Sequence, residues 1–248
     1  MKFAALALAF LLTLSVALVA FAPSSLLDRR LARATQGKLR LAATRGTLWH
    51  GGATLTDATG AWAIPLQWQL EPSLVARSLA VVFDPPPNRS EPRGRITLAD
   101  ATLRVDELSL SVPAAALAGV VAERGPWAVG GDLTVDAPSF AWNGSRGNGA
   151  LNLRWHGARV AGGGSVLDLG TVSLDLAPRE DRLHGRLAND GGDVRIAGDV
   201  DLSGAGADVD ATLTPTASAP REIVRALAFL GTPDASGAVR VRWRSAPR

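Results

Sequence analysis

Asp199, Asp201, Ser203, Gly204 and Asp210 stand at the spacing of a calcium loop, with oxygen-bearing side chains at positions 1, 3 and 5, glycine at 6 and a carboxylate at 12. Such a loop needs a longer, bidentate glutamate at its last position and a helix on either side. Here position 12 is the shorter Asp210, position 8 is Gly206 where an apolar residue is normal, and the flanks alternate apolar and polar residues as strands do. These residues are therefore read as outward carboxylates on two strands joined by Ser203-Gly-Ala-Gly206, and no metal is assigned to them.

The histidines offer no better chemistry. His50 follows Trp49, His156 follows Trp155 and His184 precedes Gly185, none at the spacing of a metal-ligand pair. No G-x-S-x-G elbow, Walker loop or S-x-x-K occurs, and Gly162-Gly-Gly-Ser165 lacks the lysine and following helix of a phosphate cradle. Cysteine is absent, which removes thiolate metal sites, disulfides and cysteine nucleophiles. A formal net charge of +3 is small, the arginines are scattered, and there is no tyrosine, so the clustered charge of a nucleic-acid surface is missing. No catalytic, cofactor-binding or metal-ligating residue is assigned, and the chain is read as a protein without enzymatic activity.

Tryptophan supplies the strongest pattern. Trp49, Trp62 and Trp68 crowd the first β-like stretch, and Trp127, Trp142, Trp155 and Trp243 recur later. Leu66, Trp68 and Leu70 alternate and so share one face of a strand. The reading for all seven is core filler in a glycine-rich sheet, with a binding or membrane-proximal aromatic patch as the alternative. The elements that position them are strands. Beyond residue 23 the apolar period is 2, and the strands expected over Gly94–Leu98, Gly131–Val135, Gly149–Trp155, Gly170–Leu176, Gly198–Leu202 and Gly237–Trp243 each start at a glycine, the pattern of antiparallel sheet with one dry face. In the last of these, Val239, Val241 and Trp243 fall on one face and Arg240, Arg242 and Arg244 on the other, which fixes the register. Helices are expected only over Pro113–Glu123 and Ser218–Gly231, the second capped by Ser218 with Ile223, Ala226, Leu227 and Leu230 on its packing stripe. Asp84–Arg93, with four prolines, is expected to be an exposed loop within the domain, with a hinge between two lobes as the alternative.

Ahead of the sheet, Phe3–Ala22 is a run of twenty residues whose only polar members are Thr13 and Ser15. At 1.5 Å per residue it spans roughly 30 Å, the hydrocarbon thickness of a bilayer. Lys2 and Ala20-Phe21-Ala22 imitate a cleavable signal peptide, but the run exceeds the usual apolar core and Pro23 would follow the cut directly. The expected organisation is an uncleaved transmembrane helix over 1–23 and a mainly β domain over 24–248. Arg29, Arg30 and Arg33 offset Lys2, so charge does not decide the orientation.

Gly46-Thr-Leu-Trp-x-Gly-Gly-Ala53 and Trp68-x-Leu-x-Pro72 are followed in order by Gly125-Pro-Trp-x-Val-Gly-Gly-Asp-Leu133, Phe140-x-Trp142, Leu153-x-Trp155-x-Gly-Ala158, Asp168-Leu-Gly170, Leu183-x-Gly-x-Leu187, Leu230-Gly231 and Gly237-x-Val-x-Val-x-Trp243. This series resembles the type II secretion system protein N family; the glycine-rich Ala158–Leu167 stretch departs from its pattern. The resemblance implies a single-span protein of the Gram-negative inner membrane with a periplasmic β-domain, an accessory in the export of folded proteins across the outer membrane. It implies other secretion subunits and the inner membrane as partners, no cofactor, and no catalytic residues. A sheet with an apolar groove that shields phospholipid is the alternative function.

Overall fold

The computed structural model describes residues 21–86, 89, 91–116, 128–162, 165–203 and 206–244. The expected anchor lies outside them except for Phe21 and Ala22, as do Trp127 and most of the helix expected over Pro113–Glu123, of which 114–116 are helical. No helix among the described residues is long and apolar enough to cross a membrane.

A short helix, α1 (Ser25–Ala34), leads into the strands β1 (Leu39–Gly46), β2 (His50–Asp57), β3 (Ala63–Ser73), β4 (Ser78–Asp84), β5 (Arg93–Ala99), β6 (Thr102–Pro113) and β7 (Ala128–Trp142). Next come β8 (Gly147–Gly149), β9 (Leu151–Gly162), β10 (Ser165–Arg179), β11 (Arg182–Asp190), β12 (Val194–Ser203), β13 (Gly206–Pro215), a second helix α2 (Arg221–Leu230) and β14 (Val239–Arg244). All belong to one antiparallel sheet whose spatial order follows the chain from β1 to β14, with short β8 paired to β7 beside the path. The expected mainly β architecture is thus one large antiparallel sheet with short helices. The proline-rich segment after Asp84 connects two strands that pair directly, Val81 opposite Ile96, so it is a connection inside the sheet.

Alternation in the sequence becomes alternation across the sheet. In the C-terminal half, one face carries Leu174, Leu187, Gly198, Ala211 and Val241 as successive cross-strand partners. The opposite face carries Asp175, Arg186, Asp199, Asp210 and Arg242 in the same way. A slip of one residue would exchange the two rows, so burial holds the register. The helix α2 lies over the apolar face, where Ile223 and Leu227 join Ala158, Leu169, Val194, Ile196 and Val239 in the larger core cluster. Burial against the sheet is what stabilises a ten-residue helix that is marginal alone. Its start differs from expectation: Ser218 Oγ lies 3.2 Å from Thr216 Oγ1, and the residue before the helix is Pro220 with no side-chain cap. A second cluster, Val105, Ala137 and Phe140, is joined by Leu151 from β9 and Leu183 from β11. A β11 side chain reaches this cluster only if the sheet curls.

The glycines play a different part from the one expected. Gly131, Gly170 and Gly198 lie within β7, β10 and β12, not at their starts. At Gly131 (φ 96) and Gly170 (φ 67) the ladder register shifts, and an added Cβ would strike the carbonyl oxygens of His156 and Asp190 respectively. These are kinks in long strands, where a bulge bends the sheet and the neighbouring backbone passes too close for a side chain. Asn189 stitches one such region: its Nδ2 donates to Leu169 O (2.8 Å) and Val194 O (2.7 Å), and its Oδ1 accepts from Ile196 N (2.6 Å).

Candidate functional site

The Gly46–His50 segment forms the turn between β1 and β2, and the chain arriving from the N-terminal apolar run docks on it. Pro23 and Thr47 form an antiparallel bridge, Leu48 N donates to Ala22 O (2.7 Å) and Ser24 N to Gly46 O (3.3 Å). Ala22 and Ser24 are both buried. Within the turn, Thr47 N donates to His50 O (2.8 Å), and Leu70 N of β3 donates to Trp49 O (2.7 Å). Trp68 Nε1 closes the arrangement by donating to Leu48 O (3.0 Å). The indole of Trp68 lies over Gly51, its cross-strand partner, where a Cβ would fall 2.8 Å from Thr47 O and 2.9 Å from Trp68 Cε2. Gly-Thr-Leu-Trp-x-Gly and Trp-x-Leu-x-Pro are therefore two halves of one clamp: glycine makes room, and the ring fills it and satisfies a turn carbonyl.

The remaining tryptophans divide. Trp155 is partly buried against the larger cluster and its Nε1 donates to Gly130 O (2.9 Å). Trp142 packs on the second cluster and covers Gly147, again a cross-strand glycine. Trp49 and Trp62 are half-buried at the clamp and at the start of β3, where Trp62 O accepts from Thr56 Oγ1 (2.7 Å). Trp243 is different, 55% exposed on the last strand. Trp68 is thus buried, Trp142 and Trp155 are partly buried against the clusters, and Trp243 faces solvent.

The sheet ends in two unlike edges. Along β1 the N–H groups of Leu39 and Leu41, which point away from β2, are taken by Thr35 Oγ1 (3.1 Å) and Asp28 Oδ1 (2.8 Å). Asp28 also receives Arg40 through Nε (3.0 Å) and Nη2 (2.8 Å). The Arg40 guanidinium, opposed by partial burial and helped by the Leu41 N–H, holds the Asp28 carboxyl below its usual range. Thus α1 caps one edge. It was missed in the sequence, although Leu26, Leu27 and Leu31 against Arg29, Arg30 and Arg33 carry a helical period.

At the other end β14 has β13 on one side, and among the described residues no strand pairs with its far side. Behind it lies a ladder of charge. Asp199 stands opposite Asp210 and Asp201 opposite Asp208, pairings that would repel if left alone. Arg240 and Arg242 both engage Asp210, Arg244 engages Asp208, and His184 Nδ1 lies 3.1 Å from Asp201 Oδ1. The hydrogen bond from Arg240 first, then that from Arg242, pulls the Asp210 carboxyl down to about 2. Of the carboxylates at the calcium-like spacing, Asp210 is tied to β14 and Asp201 lies beside His184 of β11. His50 and His156 are exposed on β2 and β9 and stand apart from this ladder.

Fold and surfaces together define an open antiparallel meander whose polar groups fasten strands and helix to one another, a structural class of protein. The family model for type II secretion system (T2SS) protein N matches residues 37–242. The chain belongs to the type II secretion system protein N family, whose members are non-enzymatic components of the secretion machinery in the cell envelope. It is similar to the type II secretion system protein N of Klebsiella pneumoniae, 28% identical over 222 residues that cover 87% of this chain and 86% of that one. No solved structure matches it.

Proposed function

We propose that the chain is an accessory subunit of the type II apparatus, held in the inner membrane by a single helix over 1–23 with residues 24–248 in the periplasm, and that it works by docking. The asymmetry of the sheet edges carries this reading. The β1 edge is capped by α1, whereas β14 presents a backbone edge that no strand among the described residues pairs, beside the exposed indole of Trp243. Added strands recruit partners through backbone hydrogen bonds, and a neighbouring aromatic supplies an anchor. Because Arg240, Arg242 and Arg244 are already paired with aspartates of β13, their charge does little to repel an incoming strand. The partners are other subunits of the apparatus.

The apolar face supports docking over lipid carriage, since α2 fills one part of it and Phe140, Leu151 and Leu183 meet across another. A clean deletion tests the function. Folded enzymes destined for the medium should accumulate in the periplasm, with their passage into the periplasm intact. Normal secretion together with altered membrane permeability would replace this reading with a lipid-handling one.

A further inference from the structure

The turn between β3 and β4 is the most exposed apolar feature among the described residues: Leu74 is 94% and Val75 99% solvent-accessible. Behind it, cross-strand partners Pro72, Leu79, Leu98 and Leu103 form an apolar row over β3, β4, β5 and β6, in which Leu79, Leu98 and Leu103 also face water. Apolar side chains grouped this way at one rim mark a surface that something covers.

The position of the rim identifies what covers it. Residues 22–24 run antiparallel to the end of β1, so the chain reaches the sheet from its turn side, and Phe21, 77% exposed, lies on that side. In a meander the β1–β2 and β3–β4 turns lie at the same end of the strands, about 10 Å apart laterally at two strand spacings. From Leu70, whose N–H meets Trp49 O, β3 continues to Ser73, about 10 Å further toward that side. Leu74 and Val75 thus project past the point where the apolar run arrives. Arg77 in the same turn and Arg45 near the end of β1 are exposed cations beside them. Asp100, in the next turn along, marks where the apolar rim gives way to water.

We infer that the β3–β4 turn seats in the leaflet of the bilayer that the N-terminal run spans, with Leu74 and Val75 among the acyl chains and Arg77 at the anionic headgroups. This second contact fixes the tilt of the sheet over the membrane. The inference rests on the membrane-anchor reading above. Two apolar side chains add little binding energy to an anchored protein, so the contact orients the domain instead of holding it.

Because the chain has no cysteine, a single introduced thiol is a unique label. Full-length V75C, and A58C in the β2–β3 turn at the opposite end of the strands, are labelled with an environment-sensitive fluorophore. Each is reconstituted in vesicles of phosphatidylethanolamine and phosphatidylglycerol. The label at position 75 should shift to the blue and be quenched by nitroxide-bearing lipids, the label at 58 should do neither, and L74D should abolish both effects at 75. If the protein floats with the vesicles while the label at 75 stays in water, the seat is refuted and the anchor stands. Failure to float refutes the anchor and the seat with it.

Discussion

The two edges of this sheet are built from the same strand chemistry and finished in opposite ways. At β1, an aspartate and a threonine satisfy the outward N–H groups, and a helix covers the strand. At β14, the arginine side chains are tied inward to β13 and no strand among the described residues covers the backbone edge. An exposed strand edge invites pairing with another chain, and proteins that do not want it blunt the edge. The docking proposed above uses the edge left open among the described residues.

The largest effect on folding should fall at the capped end. Trp68→Ala removes the ring that fills the space over Gly51 and bonds Leu48 O, and truncating a buried aromatic costs about 3–5 kcal/mol. Denaturant melts of the full chain in detergent should show that loss, and an unchanged midpoint would mean that the clamp does not hold the β1 end. Gly51→Ala drives a methyl into the same ring and the Thr47 carbonyl, and such overpacking costs about 1–3 kcal/mol.

Asp28→Ala unmasks the β1 edge. The loss of the Leu41 hydrogen bond should cost about 1 kcal/mol. Its more telling consequence is self-association through the freed strand, read by sedimentation. If Asp28→Ala stays as dispersed as wild type, α1 does not serve as an edge cap. Asp28 also ties this end to pH. Its folded carboxyl titrates below the unfolded one, so its stabilisation is complete above about pH 4, the ordinary aspartate value, and is lost as pH falls through the folded value. Asp210 at the other edge follows the same sign, with its contribution fading between about pH 4 and about 2. Melts of wild type and Asp210→Asn should therefore differ near pH 6 and converge near pH 2, with the difference smaller in high salt because these side chains are exposed. The smallest effect on folding is expected at Trp243. Trp243→Ala should melt within about 0.5 kcal/mol of wild type, as surface changes do, yet lose copurifying secretion subunits. Retained partners would sharpen the comparison against an open-edge docking role.

The fold class was legible because period-2 alternation is a local signal, and Val239-Arg-Val-Arg-Trp-Arg244 states its own register. Depth was not. Alternation tells which face Trp243 occupies, but its exposure follows from lying at the end of an edge strand, a fact of topology. The same limit applied to the glycines, since turns and bulges both favour glycine and only the partner strand distinguishes them. The edge cap was hidden for a similar reason: Asp28 matters through Leu41, thirteen residues on, and no spacing rule links the two. The two halves of the Trp68 clamp were both visible as motifs, and their joining across the β1–β2 turn was not.

Spatial order that follows chain order also governs how the sheet is made. Each strand pairs with one synthesised shortly before it, so ring-closure entropy stays small at nearly every step and no early strand waits for the C-terminus. Assembly can run vectorially, N-terminus first. The β1 edge is then sealed at the outset by the helix made just before it, while the open edge advances strand by strand until β14 is laid down. Among the described residues, the surface left unpaired once β14 is laid down is the growth front of the sheet.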